Sequence, residues 1–358
     1  MKIKITRLIF TNLILIFVCI NNIYSQSDLL YSQSNWCGTI ASKEDIEFIK
    51  NIMNNSLMSE QIVSGYTYFR VQHHIVRDGN GNNGLSPSVI PSMMEKLNSA
   101  FSAANVQFYS CNPAEFIDSD AYYQIDDENE ELALRNAHND PGAINIYYFK
   151  NFINAHEKSW WAYTYQNGDA NFIGIRNEIT NGQVLTHEMG HFYGLLHTFR
   201  NYSSPPNSAM ELVTRGTGNN CSTAGDLLCD TPADPYIESV DVNTNCTYIG
   251  NARDFNNVLY TPDATNFMAY SRDDCRTHFS PGQYSRISAF ASLSGKQDFI
   301  HKTTIANNSN LNGNTTNDFI TVTNSIVNSG ANVVLDVCQE LEISNSFEVK
   351  VGATFEAR

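Results

Sequence analysis

The segment Thr186 to Phe199, THEMGHFYGLLHTF, fixes the positions of three histidines and one glutamate and constrains the chain more than any other stretch. His187 and His191 lie four residues apart, so on a helix their imidazoles project from the same face. That spacing lets two nitrogens bind one tetrahedral Zn²⁺. Glu188 follows the first histidine and can exchange protons with a water beside the metal. The segment therefore predicts a helix that carries a metal site.

Gly194 and His197 extend this pattern. A residue without a Cβ can adopt a left-handed backbone conformation, so Gly194 predicts that the helix stops and the chain turns back sharply. His197 then supplies a third nitrogen ligand and leaves a fourth position open for water and substrate. The shorter H-E-x-x-H pattern also occurs by chance, but the added glycine and histidine make coincidence a poor explanation. We interpret the three histidines as ligands of a catalytic zinc and Glu188 as its general base.

The first 25 residues have the pattern of a secretory signal peptide: a basic start, an apolar stretch from Leu8 to Ile20 and a small residue, Ser25. The apolar stretch is short for a membrane span, and no other segment could cross a bilayer. The formal charge of −15 argues against a nucleic-acid partner. Cys19 lies in the leader, which leaves seven of the eight cysteines. The chain is therefore predicted to be secreted, and an odd cysteine count suggests a separate role for one thiol.

Composition and periodicity divide the rest of the chain into four parts. Residues 26–65 are a polar segment with one helix begun by Ser42, residues 66–306 form the main domain, and 307–317 are a polar linker. Residues 318–358 alternate apolar and polar residues and predict a small β-repeat module. Strands before the metal-binding helix and loops after it predict an α+β domain, with a mixed twisted sheet above an irregular lower half. Predicted strands cover residues 66–79, 106–111, 143–150 and 171–178, and predicted helices cover 43–56, 86–104, 182–193 and 280–291.

The pattern H-E-x-x-H-x-x-G-x-x-H resembles that of the metzincin metallopeptidases, which also carry a methionine turn downstream. Asn266-Phe-Met-Ala-Tyr-Ser271 is the matching segment. The resemblance implies a metzincin fold in which Met268 supports the metal site from below. It also implies that Tyr270 stabilises the oxyanion of the reaction. Residues 171–178 lie where metzincins place the edge strand that holds an extended substrate, although core packing explains this segment equally well.

Within the metzincins the chain resembles the pappalysin family, in its cytophagalysin-like members, over residues 66–290. The matching segments are HEMGHFYGLLHTF, GDLLCDTPADP from Gly225, NFMAYSRDDC from Asn266 and FSPGQYSRI from Phe279. The resemblance implies a secreted zinc-dependent endopeptidase that hydrolyses peptide bonds in protein or peptide substrates. A loop after the third histidine is expected to carry calcium and disulfides.

Three further features come from this resemblance. It implies the disulfides Cys221–Cys246 and Cys229–Cys275. Asp226 and Asp230 resemble calcium-loop positions, and hard carboxylate oxygens suit Ca²⁺, although loops of this composition also occur as ordinary turns. Asp274 matches an acid that selects Arg, or less strongly Lys, after the scissile bond. The neighbouring Asp273 could share that role, or both acids could be solvated turn residues.

Cys37 lies in the sequence NWCGT, ahead of the main domain. A thiolate is a good zinc ligand and could displace the catalytic water. Similar prosegments of the family carry a Cys-Gly pair as a cysteine switch, which implies a latent precursor over residues 26–65 and an activating protease. The competing interpretation is a disulfide with Cys111 or Cys338.

The last residues, SNSFEVKVGATFEAR, resemble C-terminal β modules of exported proteins from the Bacteroidetes. Such a module serves sorting, attachment to the cell surface or spacing. Two alternatives to the pappalysin-like peptidase remain at this stage. One is a zinc-containing adhesin with incidental hydrolysis, which the presence of Glu188 disfavours, and the other is a metzincin of another subfamily with apolar specificity.

Overall fold

The computed structural model describes residues 37–56, 65–125, 127–152, 161–180, 182–306 and 311–358. The predicted signal peptide lies outside these residues. The contacts divide the chain into two compact units. The larger unit comprises Thr39–Leu196 and Thr277–Arg358, and the smaller comprises His197–Arg276 with Cys37 and Gly38. In the part of the chain that the structure describes, no helix has the length and apolar character needed to cross a membrane.

The larger unit contains a mixed six-stranded sheet. Its path runs β2–β1–β5–β8–β7, and β3 pairs with the second half of β1. All pairs are parallel except β7 with β8. The strands are β1 Thr67–Arg77, β2 Val106–Tyr109, β3 Glu115–Asp118, β5 Ile144–Phe149, β7 Ala162–Thr164 and β8 Ile173–Arg176, and a separate short pair joins β4 Gln124–Ile125 to β6 Asn151–Phe152. The predicted mixed sheet is confirmed.

The most apolar strand of this sheet is also its most buried one. All six residues of β5 are buried, as expected for a central parallel strand covered on both faces. The helices of the larger unit are α1 Lys43–Ser56, α2 Ile90–Phe101, α3 Asp120–Tyr123, α4 Glu128–His138, α5 Gln183–Phe192, α6 Pro281–Ala291 and α7 Ser294–Gln297. Helix α2 buries Met93, Leu97 and Phe101 at helical spacing and packs against α5, the helix of the histidine motif. The four predicted helices are thereby confirmed within a few residues.

The edge of the sheet differs from the sequence-based expectation. The segment over 171–178 was expected to be the edge strand that could hold an extended peptide, but its strand β8 lies between β5 and β7. The edge strand is β7, which is antiparallel to β8. Tyr163 and Tyr165, at and just after this edge, both donate hydrogen bonds to the buried Glu131 carboxylate of α4. These contacts hold β7 in place at the margin of the sheet.

The C-terminal residues form a second sheet within the larger unit, in the order β12–β11–β10–β9 and parallel throughout. The strands are β9 Lys302–Ala306, β10 Gly313–Val327, β11 Asn332–Val349 and β12 Thr354–Ala357. The expected linker over 307–317 is therefore strand from Gly313 onward, whereas residues 307–310 lie outside the described part. A disulfide between Cys111 and Cys338 ties this sheet to the residues that follow β2. Tyr109 also donates a hydrogen bond to Asp318 of β10.

The smaller unit is mostly irregular, as expected for the lower half, and contains a 3₁₀ turn at Ser239–Asp241. Its disulfides are Cys221–Cys229 and Cys246–Cys275, so the pairing Cys221–Cys246 and Cys229–Cys275 implied by the family resemblance is wrong. The chain reverses between Cys221 and Cys229 through left-handed residues at Gly225 and Leu227 and brings the two Cα atoms to 5.0 Å. Cys246 and Cys275 meet in an apolar cluster with Ile237, Val242, Ala264 and Ala269.

Candidate metal and catalytic site

Helix α5 carries the first two histidines of the motif. Its N-cap is Gly182, in a left-handed conformation and without a side-chain cap. A Cβ on Gly182 would lie 3.0 Å from the Lys96 side chain of α2. The glycine thus allows close approach of α5 to α2. Every residue of α5 from Val184 to Phe192 is buried.

His187 and His191 project from one face of α5, as predicted. Their Nε2 atoms are 3.1 Å apart, and two nitrogens bound to one tetrahedral Zn²⁺ are about 3.3 Å apart for typical Zn–N distances. The Nδ1 atom of His191 donates to the Leu195 carbonyl at 2.8 Å, which leaves Nε2 with its lone pair. Burial lowers the pKa of His191 to about 4, so the ring is neutral near pH 7. Both rings are therefore suited to metal binding.

The turn after α5 depends on Gly194, whose φ of +79° is left-handed, as the sequence predicted. A Cβ at this position would lie 2.4 Å from the Phe290 ring of α6. Gln166 donates hydrogen bonds to the carbonyls of Leu195 and His191 and fixes the turn to the end of the helix. Sequence analysis did not single out Gln166, because no local pattern links it to a segment almost thirty residues away.

In the smaller unit, His197 begins a compact aromatic group. Its ring stacks on Phe199 at 4.7 Å and meets the Tyr270 ring edge-on at 5.0 Å. Met268 is fully buried, and its carbonyl accepts a hydrogen bond from the backbone N–H of Thr198. The methionine segment is thereby joined to the residue that follows the third histidine.

The three histidines and Cys37 form a group in which each residue offers one ligand atom and these atoms all lie within 4.8 Å of one another. Three nitrogens and one sulfur are a donor set that suits Zn²⁺. Cys37 is outside the three disulfides of the described chain, and Cys111 pairs with Cys338, which removes the disulfide alternative for Cys37. The Tyr270 hydroxyl donates to the Cys37 carbonyl at 3.2 Å.

Glu188 is fully buried on α5. Its Oε2 atom lies 3.0 Å from the hydroxyl of Thr39, two residues after Cys37. Thr39 was not identified from the sequence, because a lone threonine in a polar segment carries no recognisable pattern. The carboxylate of the predicted general base is therefore in contact with the segment that precedes the main domain.

Comparison with known proteins shows which family the histidine-bearing helix and its neighbouring segments resemble. A family model described as pregnancy-associated plasma protein-A matches residues 163–292, which include β8, α5, the third histidine and α6. This region is similar to the pappalysin family of metalloendopeptidases.

Similarity to other proteins covers more of the chain than residues 163–292. An extracellular metalloprotease of Arthroderma gypseum is 25% identical over 273 residues, which cover 70% of this chain and 82% of that protein. One from Colletotrichum graminicola is 25% identical over 243 residues, covering 62% and 75%. Among solved structures, a promirolysin mutant of Tannerella forsythia aligns with a TM-score of 0.51 and 16% identity, covering 74% of this chain and 97% of that one. The last similarity supports the fold.

The acids that the pappalysin resemblance assigned to calcium lie in different environments. Asp226 is buried, and its Oδ1 accepts from the Leu228 N–H and the Thr231 hydroxyl. Asp230 is exposed. A third acid, Glu211, was missed by the sequence analysis; it is buried, and desolvation together with the nearby Asp226 charge raises its pKa to about 9.

The acid assigned to substrate selection is exposed. The Asp274 carboxylate accepts two hydrogen bonds from the Arg272 guanidinium, which lower its pKa. Asp273 is half-buried and pairs with the buried Arg276. Each of the two acids is thus bonded to an arginine of its own loop, a pairing that the sequence pattern did not reveal.

Proposed function

We propose that this protein is a secreted zinc-dependent endopeptidase made as a latent precursor. The group of His187, His191 and His197 beside Glu188 carries the proposal, because it combines three nitrogen donors with a buried carboxylate. The names of the similar fungal proteins support an extracellular metalloprotease. The signal-peptide pattern of residues 1–25 supports export.

The chemistry follows from the positions of these side chains. His187, His191 and His197 would hold a zinc ion, which would supply a Lewis acid for the scissile carbonyl and lower the pKa of a water molecule. Glu188 accepts a proton from that water and donates it to the leaving amine. The Tyr270 hydroxyl donates a hydrogen bond to the Cys37 carbonyl in this structure, and in the active enzyme the same hydroxyl is available for the oxyanion. Met268 supports the loop that leads from His197.

Latency is assigned to residues 26–65, which an activating protease removes. Support comes from the position of Cys37 within the histidine group, where its thiolate would occupy the ligand position that the catalytic water needs. Helix α1 adds a second attachment in the larger unit. Asp45 accepts a hydrogen bond from Asn167, Phe48 packs edge-on against Phe290, and Ile49 is fully buried.

For specificity we propose that Asp274 selects arginine, or less strongly lysine, after the scissile bond. Its carboxylate already accepts two bonds from Arg272, so it has the geometry for a guanidinium. A substrate arginine must displace Arg272 to reach it. Because both partners of this pair are partly solvated, such an exchange costs little.

A peptide library tests these assignments on a chain that begins at Tyr66. We expect cleavage that stops when a chelator removes the metal and returns when zinc is added. Asp274→Asn should lower the preference for arginine about tenfold, the effect expected for losing a charged hydrogen bond, and Glu95→Gln, at an exposed acid of α2, serves as the control. Cleavage that is insensitive to chelators contradicts the zinc peptidase, and it leaves the adhesin or another catalytic class. An unchanged preference in Asp274→Asn contradicts the specificity assignment alone.

We also propose that calcium binds beside Asp226, with Asp230 and Glu211 as further carboxylates. Glu211 Oε1 is 2.7 Å from Arg215, whereas its Oε2 is buried without a hydrogen-bond partner among the described residues. Oxygen ligands of this kind suit Ca²⁺. A cation here would favour the ionised form of Glu211, which burial and the Asp226 charge disfavour.

The pH dependence of the melting temperature of the zinc-loaded protein should reveal the proposed calcium site. Because folding raises the pKa of Glu211 from 4.5 to about 9, its contribution is full below about pH 4.5 and is lost as the pH rises toward 9. Without calcium, the melting temperature should therefore fall over this range. Calcium at about 100 times its Kd should add about 2.7 kcal/mol to the free energy of unfolding and raise the melting temperature again. Glu211→Gln should remove the pH-dependent loss, and Asp226→Asn should weaken the calcium effect. A melting temperature that ignores calcium at pH 8 contradicts the site.

A further inference from the structure

Thr39 is an unusual residue within the segment assigned to latency. It is 5% exposed, whereas its apolar neighbour Ile40 is 83% exposed. A buried polar side chain beside an exposed large apolar one reverses the ordinary distribution, and the buried polar residue is the informative one. The polar side chain of Thr39 is therefore the one that packs against the main domain.

The Thr39 hydroxyl contacts three polar groups of the larger unit. It lies 3.0 Å from Glu188 Oε2 and 3.0 Å from the carbonyl oxygen of Thr164. It also accepts a hydrogen bond from the backbone N–H of Thr164 at 3.0 Å. Thr164 is the last residue of the edge strand β7. One hydroxyl thus joins the general base to the edge of the sheet.

The donor count determines how these contacts are shared. A hydroxyl has one proton and can accept additional bonds through its lone pairs. It accepts from Thr164 N–H, and its proton goes either to the Thr164 carbonyl or to the Glu188 carboxylate. An ionised carboxylate is the stronger acceptor, so the bond to Glu188 dominates when that residue is charged.

We propose that Thr39 is a second inhibitory contact of the precursor, separate from the Cys37 thiol and acting on the base rather than on the metal. This inference rests on the proposed peptidase function and deepens it. A Glu188 carboxylate that accepts the Thr39 proton is not available to a water at the same oxygen. The same hydroxyl accepts from the Thr164 N–H and lies 3.0 Å from the Thr164 carbonyl oxygen, so it covers the backbone groups that an extended peptide at this edge would otherwise need.

Because Cys37 and Thr39 contact different groups, the loss of one leaves the contact of the other in place. Loss of the thiol alone leaves the base and the strand edge covered, so Cys37→Ala should retain part of its latency. Loss of the hydroxyl alone weakens the hold on the segment next to Cys37. The thiol of a Thr39→Val precursor should therefore leave its position more often and react faster with an alkylating reagent.

The test uses the zinc-loaded full-length chain and the variants Thr39→Val, Thr39→Ser, Cys37→Ala and the double variant Thr39→Val with Cys37→Ala. Valine removes the hydroxyl at similar size, and serine retains it. Alkylation of Cys37 by iodoacetamide is followed by mass spectrometry of its peptide, and hydrolysis of a reporter peptide is measured in parallel. Melting temperatures of the variants are compared first, so that a general loss of structure is recognised.

We expect Thr39→Val to be alkylated about tenfold faster than the wild type and Thr39→Ser to match the wild type, as loss of a hydrogen bond to a charged group predicts. The double variant should hydrolyse the reporter faster than Cys37→Ala. Equal alkylation rates in Thr39→Val and the wild type overturn the inference. If the alkylation rates differ as expected but no variant hydrolyses peptide even after removal of residues 26–65, the contact stands and the peptidase function fails.

Discussion

Replacing Glu188 with glutamine should lower kcat by about 10²–10⁴-fold, the range expected for loss of a general base. The amide keeps the size of the buried side chain, but it cannot take a proton from water. Zinc content and melting temperature should stay close to those of the wild type. The measurement is peptide hydrolysis by the chain beginning at Tyr66, together with metal analysis.

A matched substitution on the surface separates chemistry from general charge effects. Glu95 is exposed on α2, and Glu95→Gln should leave kcat unchanged. Comparable hydrolysis by Glu188→Gln and the wild type would contradict the role of Glu188 as the base. A loss of activity accompanied by loss of zinc would instead indicate a structural role for Glu188 in the metal site.

Gly194→Ala should destabilise the protein by about 2–5 kcal/mol, from left-handed backbone strain and a crowded core. The strain arises because φ is +79°, and the crowding because the new Cβ would lie 2.4 Å from the Phe290 ring. Since the turn leads directly to His197, zinc affinity should fall as well. Thermal unfolding and competition with a zinc-binding dye measure the two effects.

Two other glycines separate these contributions. Gly216 has open space around it and no left-handed conformation, whereas Gly218 has open space and a φ of +86°. Gly216→Ala should be neutral, and Gly218→Ala should show the backbone cost alone. Gly194→Ala should exceed both, and Phe290→Leu should relieve part of its excess. If Gly194→Ala is no worse than Gly218→Ala, the packing argument fails.

The local parts of the site were predictable from the sequence. The spacing of His187 and His191 is a property of one helix, and the left-handed Gly194 is a property of one turn. Both need only the geometry of consecutive residues, and the structure has them as expected. The helix of residues 43–56 and the strand at 144–149 were predictable for the same reason, because periodicity is a local signal.

Contacts between distant segments were not predictable in this way. The disulfides of the smaller unit differ from the family-based pairing, because pairing depends on which Cα atoms approach within reach in the folded loop. The edge strand was misassigned, because the order of strands in a sheet does not follow their order in the chain. Gln166, Glu211 and Thr39 carry no motif and acquire their roles through partners far along the sequence.

By itself, the sequence determined the metal-binding helix, its glycine turn and the chemistry that three imidazoles and a carboxylate can perform. Those properties depend on residue types and on short separations along the chain, both of which can be read from the sequence. Only the tertiary structure decided that Thr39 contacts the base and that Asp274 is bonded to Arg272. Burial and long-range hydrogen bonds arise when the chain packs, and they determine which of the candidate groups are engaged.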